Sequence, residues 1–195
     1  MEKTIEKLRK NGFEVSAFPT GEEAAAYIAE SLRGKTVGIG GSMSVRALNI
    51  YDRIRENNTV FWHMAEPGDE TLLKASSAQV YITSANAVSA EGYIINIDGR
   101  GNRVAGTLMK KEKVYLVVGK NKLCGPFEEA LDRARNQAAP PNAKRLECRT
   151  PCVMDGKCHD CSSPERICNA LVVLWRRPFW CDSMEIVLVD EDLGF

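Results

Sequence analysis

Apolar positions recur along the chain in two rhythms. Ile5 and Leu8 share one face of a charged run that Gly12 ends, which predicts a short amphipathic helix over residues 1–11. Phe13-Glu-Val-Ser-Ala-Phe18 alternates and reads as a strand. Thr20-Gly-Glu-Glu23 is a capping box that opens an alanine-rich helix, which Gly34 closes. A short apolar strand, Thr36-Val-Gly-Ile39, runs into Gly40-Gly41-Ser42, and Val45, Leu48, Ile50 and Ile54 then follow a helical pattern. Strands are expected at 60–63 and 79–84, with a short helix through Leu72, Leu73 and Ala75 between them. Two alternating runs, 93–98 and 103–108, flank Gly99-Arg-Gly-Asn102 and predict a β-hairpin. Lys113-Val-Tyr-Leu-Val-Val-Gly119 is a central strand. The helix after it, 126–137, carries Pro126 near its first turn and is broken by Pro140-Pro141-Asn142. Strands at 170–175 and 184–189 are expected to extend the sheet. Strands alternating with helices predict an α/β fold, a mostly parallel sheet flanked by helices.

Composition narrows the function. A chain of 195 residues fits one domain, 1–195, with a core that needs no covalent staples. Lys plus Arg numbers 26 and so does Asp plus Glu, so the basic footprint of a nucleic-acid binder is missing. No apolar run approaches the ~20 residues of a membrane span, and the charged amino-terminal run lacks the apolar core of a signal peptide. A cytoplasmic location is expected. In that reducing compartment a cysteine cluster points to metal before disulfides.

Chemistry concentrates in a few stretches. Five of the seven cysteines fall within 148–168, and the last four, Cys152, Cys158, Cys161 and Cys168, read C-x5-C-x2-C-x6-C. Four thiolates on so short a loop can hold one ion or cluster. Irregular spacing suits a [4Fe–4S] cluster, whereas structural zinc usually takes two C-x2-C knuckles and only Cys158–Cys161 supplies one; inert free thiols are the third reading. His159 is a possible substitute ligand or simply solvent-facing. The strand–glycine–helix turn at 40–44 can present backbone N–H groups and the Ser42 and Ser44 hydroxyls to an anion, or be an ordinary tight turn capped by Ser44. Lys120-Asn-Lys122 follows a strand at its carboxyl end, where open α/β sheets bind ligands, or forms a solvated loop. His63 reads as a strand-end histidine with a structural hydrogen bond, with a catalytic or ligand role as the alternative.

Several stretches resemble the LUD (lactate-utilisation domain) family. They are Gly40-Gly-Ser-Met-Ser44, Ala85-Asn-Ala-Val-Ser-Ala-Glu-Gly92, Gly101-Asn-Arg103, Val117-Val-Gly-Lys-Asn-Lys122, Ala138-Ala-Pro-Pro-Asn-Ala143, the closing cysteine motif and Val189-Asp-Glu-Asp-Leu-Gly-Phe195. The resemblance runs through nearly the whole chain in order, whereas Cys124, Cys148 and Cys181 stand outside it. It implies a fold similar to the ribose-5-phosphate isomerase, glucosamine-phosphate deaminase and CoA-transferase group. It also implies an anion cradle at Gly40, Gly41, Ser42 and Ser44, Glu91 as the acid candidate, and Asn86, Asn102, Lys120 and Lys122 around the pocket. Glu91 would act as nucleophile under transferase logic and as general base under isomerase logic. The family context is oxidation of lactate or related organic acids, with a small anionic metabolite as ligand and iron–sulfur redox proteins as partners. An enzyme using Glu91 and a non-catalytic redox or assembly subunit both stay open.

Overall fold

Hydrophobic strands alternate with helices in chain order, as the pattern demands, and a computed structural model describes residues 2–195. The first half comprises α1 (Glu2–Lys10), β1 (Glu14–Phe18), α2 (Gly21–Glu30), β2 (Thr36–Ile39), α3 (Met43–Ala47), α4 (Ile50–Ile54), β3 (Thr59–Trp62), α5 (Asp69–Ser77) and β4 (Val80–Ser84). After these come β5 (Ala87–Val88), β6 (Ile94–Asp98), α6 (Asn102–Leu108) and β7 (Lys111–Gly119), which a 3-10 turn, Lys120–Lys122, follows directly. The remainder is α7 (Phe127–Asp132), a π-helical segment Arg133–Ala138, α8 (Ala139–Arg145), α9 (Cys152–Asp155), β8 (Ala170–Leu174) and β9 (Cys181–Val189). Residue 1 of the first predicted helix lies outside the described residues.

Six strands form a sheet in the order β1-β9-β7-β4-β2-β3, every pairing parallel. A parallel sheet is covered on both faces, and this one divides its core accordingly. Ile39, Ile82, Val117 and Val187 pack on one side with Ile28 of α2 and Val45 of α3. Tyr81, Leu116 and Ile186 pack on the other with Leu8 of α1 and Ile94 of β6. Thr20 caps α2 as its sequence predicts, its Oγ1 accepting from the Glu23 N–H at 3.2 Å.

Three expectations are corrected. The run 103–108 is helix, not the second arm of a hairpin. Asp98 ends β6 and its carboxylate accepts from the N–H groups of Arg100, Gly101 and Val104 at 3.0–3.1 Å, so it caps a helix start instead of closing a two-strand turn. The hairpin partner of β6 is β5, and its other edge pairs antiparallel with β8, making a second, three-stranded sheet. The last two strands therefore part company: β8 joins that small sheet, and β9 enters the large one between β1 and β7. Finally, the helix does not stop before Pro140. The chain widens into the π segment and continues as α8 with Pro140 and Pro141 in its first turn, so the two residues that lack an N–H follow directly on the widened turn.

Candidate functional site

The chain leaves β2 toward β3 at the sheet edge and then returns across β2 to β4. At such a reversal the connections leave in opposite directions and open a crevice at the carboxyl ends of the strands. A cavity of about 540 Å³ lies there, within the usual range for a small-molecule site. Its wall takes Gly41, Ser42 and Ser44 from the β2–α3 turn, and Ser84 and Asn86 from the end of β4. It also takes Asp98, Gly99, Arg100, Asn102 and Arg103 from around the β6–α6 turn, and Lys122 from beyond β7.

The glycine turn is shaped by close packing. A Cβ on Gly40 would stand 2.8 Å from Thr83 Oγ1 and 3.0 Å from the Tyr81 hydroxyl, and one on Gly41 would meet the His63 ring at 3.2 Å. Gly40 thus lets β2 and β4 approach and lies behind the cavity wall. The serine hydroxyls already have protein partners. Ser42 accepts from the Val45 N–H at 3.2 Å as the cap of α3, and Ser44 donates to the Leu193 carbonyl at 3.0 Å, so the capping residue is Ser42 and not Ser44. His63 lines the cavity with its Nδ1 buried and unpartnered, without the structural hydrogen bond expected of it. Burial and then the Arg100 charge push its pKa down, which favours the neutral ring.

Lys122 is the least exposed charged residue of the wall, 4% exposed. Its Nζ donates to Ser44 Oγ at 2.7 Å, Ser84 Oγ at 3.0 Å and the Ala85 carbonyl at 3.0 Å, with no carboxylate among these partners. Desolvation, with Arg133 and Arg103 adding like charge, brings its pKa down to about 7. Arg133 reaches in from the π segment, donating to Asn121 O at 2.7 Å and Asn86 O at 2.6 Å. Arg103 donates to Asn86 Oδ1 and Ile97 O. Arg100, Arg103 and Arg145 line the cavity beside Lys122 against one side-chain carboxylate, Asp98, which accepts from three backbone N–H groups and pairs with Arg103 at 4.0 Å. The site therefore carries an excess of positive charge under partial burial, where a small anion supplies the missing counter-charge.

The structure brings Gly41, Ser42, Ser44, Asn86, Asn102 and Lys122 to this wall and leaves Lys120 and Glu91 elsewhere. Lys120 is exposed and pairs with Asp190 at 3.3 Å. Glu91 sits in the β5–β6 turn, where Asn11 of the α1–β1 turn donates to its carbonyl at 2.9 Å. Its carboxyl is held below the usual range by the Ser89 hydroxyl and by backbone N–H groups. The motifs in the sequence do not single out Ser84, Arg100, Arg133 or Arg145, and Arg103 enters only through the family resemblance. The available signal is position: Ser84 ends a parallel strand, His63 directly follows one, and Arg103 follows the Gly101-Asn pair.

A second constellation lies behind the first. Cys152, Cys158, Cys161 and Cys168 all line one small cavity beside α8, and all seven cysteines are free thiols. Arg135 Nη2 points at Cys158 Sγ from 3.6 Å and Arg166 Nη2 at Cys168 Sγ from 3.4 Å. His159 is paired with Asp155 at 3.0 Å. Among the described residues no three Cys, His, Asp or Glu side chains converge as closely as a single metal ion requires. Cys148, Cys124 and Cys181 stand outside this cavity. Ala139 and Ile167 line both this cavity and the larger one, so one wall separates the two.

No helix is long and apolar enough to cross a membrane among the described residues. A family model described as the LUD domain matches residues 1–189. No curated protein gives a significant match. Among solved structures, a crystal structure of a DUF162 family protein from Deinococcus radiodurans is similar with a TM-score of 0.56 at 15% identity, covering 96% of this chain and 94% of that one. At that identity the likeness is one of fold.

Proposed function

The chain belongs to the LUD-domain family, and on that premise we propose that it binds a small anionic metabolite of lactate or related organic-acid utilisation in the cavity at the carboxyl ends of β2, β4 and β7. The observation that carries this reading is the positive charge of the wall, where Arg100, Arg103 and Arg145 stand against a single side-chain carboxylate, Asp98. The glycine turn contributes shape, and Asn86 and Asn102 contribute polar edges that orient a ligand. Glu91 does not line this cavity, so in this reading acid–base or covalent chemistry would fall to other groups.

We propose the four cysteines as ligands of an iron–sulfur cluster, with structural zinc as the alternative. Support comes from four free thiols on one cavity and from two guanidinium donors aimed at sulfur, which stabilise thiolate ligands and tune a cluster. Cys152, Cys158, Cys161 and Cys168 would be the ligands, and the group would supply one-electron transfer or, for zinc, a rigid fastening of the loop. Thiol ligation of this kind belongs in a reducing compartment such as the cytoplasm. A redox role would make iron–sulfur proteins the natural partners.

The anion reading is tested by thermal shift and calorimetry with pyruvate, L-lactate and inorganic phosphate. At least one should raise the melting temperature. Arg100→Ala and Arg145→Ala should each weaken that binding by roughly tenfold, the cost of one charged hydrogen bond. If none of the three anions binds, the proposal fails.

A further inference from the structure

Anion binding accounts for the charge of the wall but not for the state of its deepest amine. A lysine that serves only as a counter-ion works best as a hydrated or paired ammonium. Lys122 is 4% exposed, and its three partners are two serine hydroxyls and a carbonyl. Arg103 of α6 and Arg133 of the π segment both face it with positive charge. Burial and like charge together favour the free amine, which keeps two of the three donor bonds and gains a lone pair, the arrangement by which a lysine is made nucleophilic at neutral pH. The hydroxyls complete the picture. Ser44 Oγ and Ser84 Oγ lie 3.3 Å apart and both touch Nζ, so a proton leaving or returning to the nitrogen has a relay on either side.

We propose that Lys122 is a covalent nucleophile that condenses through Nζ with the carbonyl group of a small compound carrying a carboxylate or phosphate. The anionic group would sit toward Arg100 and Arg145, and the carbonyl carbon at Nζ. The nitrogen lone pair forms the C–N bond while the carbonyl π pair moves to oxygen. One proton passes from nitrogen to that oxygen through Ser44 or Ser84, giving a carbinolamine. Protonation of its hydroxyl and departure of water leave the iminium, with no oxidant or reductant consumed. The iminium then draws electrons from the neighbouring carbon, which is the activation that decarboxylation, carbon–carbon cleavage and proton exchange share.

The proposal rests on the anion-pocket reading, and one experiment separates the two. The chain is incubated with pyruvate or with dihydroxyacetone phosphate, each with sodium cyanoborohydride, and digested for peptide mass mapping. Binding of the same compounds without reductant is followed by thermal shift. A single reduced adduct at Lys122, formed with either compound and absent from Lys122→Met, is the expected result, and the compound that labels faster identifies the anionic group. The labelling rate should level off above about pH 7, whereas ordinary surface lysines gain reactivity up to about pH 10. Mapping on the unmodified chain locates the adduct even if the variant does not fold. Binding without an adduct overturns the nucleophile and leaves the anion pocket standing. Adducts scattered over surface lysines also overturn it, and absence of binding removes both readings.

Discussion

A lysine in water titrates near 10.4, and Lys122 in the folded chain near 7. Between those values the unfolded chain holds a proton that the folded chain has released. Stability must then rise with pH across that window, by up to about 1.4 kcal/mol per pH unit from this residue, and level off on either side. Lys122→Met should flatten that part of the profile in urea titrations between pH 7 and pH 9.5. Equal slopes in both proteins would show that the amine is not neutral when buried. The sequence made the position of this residue legible but not its burial. Lys120-Asn-Lys122 reads either as a ligand-binding trio at a strand end or as a solvated loop, and Lys120, paired with Asp190 at the surface, takes the second course. The 3-10 turn swings the second lysine inward, and Arg133, arriving from a helix segment eleven residues on, is what makes its environment cationic.

At the level of elements, the decisive residue is Asp98. Alternation in 103–108 suits a strand, but a carboxylate at the end of β6 collects three N–H groups and starts α6 instead. Local hydrogen bonding overrode a periodic pattern only six residues long, which is too short to separate the two periods. Asp98→Ala leaves those three donors without their acceptor. It should cost about 1–3 kcal/mol in chemical denaturation, with Asp98→Asn recovering part of the loss. A loss below about 0.5 kcal/mol would mean that neighbouring turns hold α6 on their own. The Pro140-Pro141 pair misled in a similar way. Proline stops a helix whose N–H it removes, but here the pair comes just after the widened π segment, in the first turn of a new run.

Over the whole molecule, the parallel architecture was readable because buried strands such as 113–119 are continuous apolar runs. The strand order was not, since nothing local says that β9 lies between β1 and β7. Nor does the sequence show that the cysteine loop, a segment apart in the chain, shares the wall of Ala139 and Ile167 with the ligand cavity. That adjacency gives the metal question weight. Protein prepared without air should contain about four iron and four sulfide per chain if a cluster is present; about one zinc would mark the structural alternative. Removing either metal should release amide protection in 148–168 while the large sheet keeps its own. A chain holding neither metal would end the metal proposal.

The place of β9 governs how the chain can fold. Until residues 181–189 leave the ribosome, β1 and β7 have no contact with each other, and each shows an open row of backbone donors and acceptors. The sheet is therefore sealed from its middle by the last strand made. Its slowest contacts join the two ends of the sequence, and nascent chains pass through a stage in which two bare strand edges invite pairing with other chains.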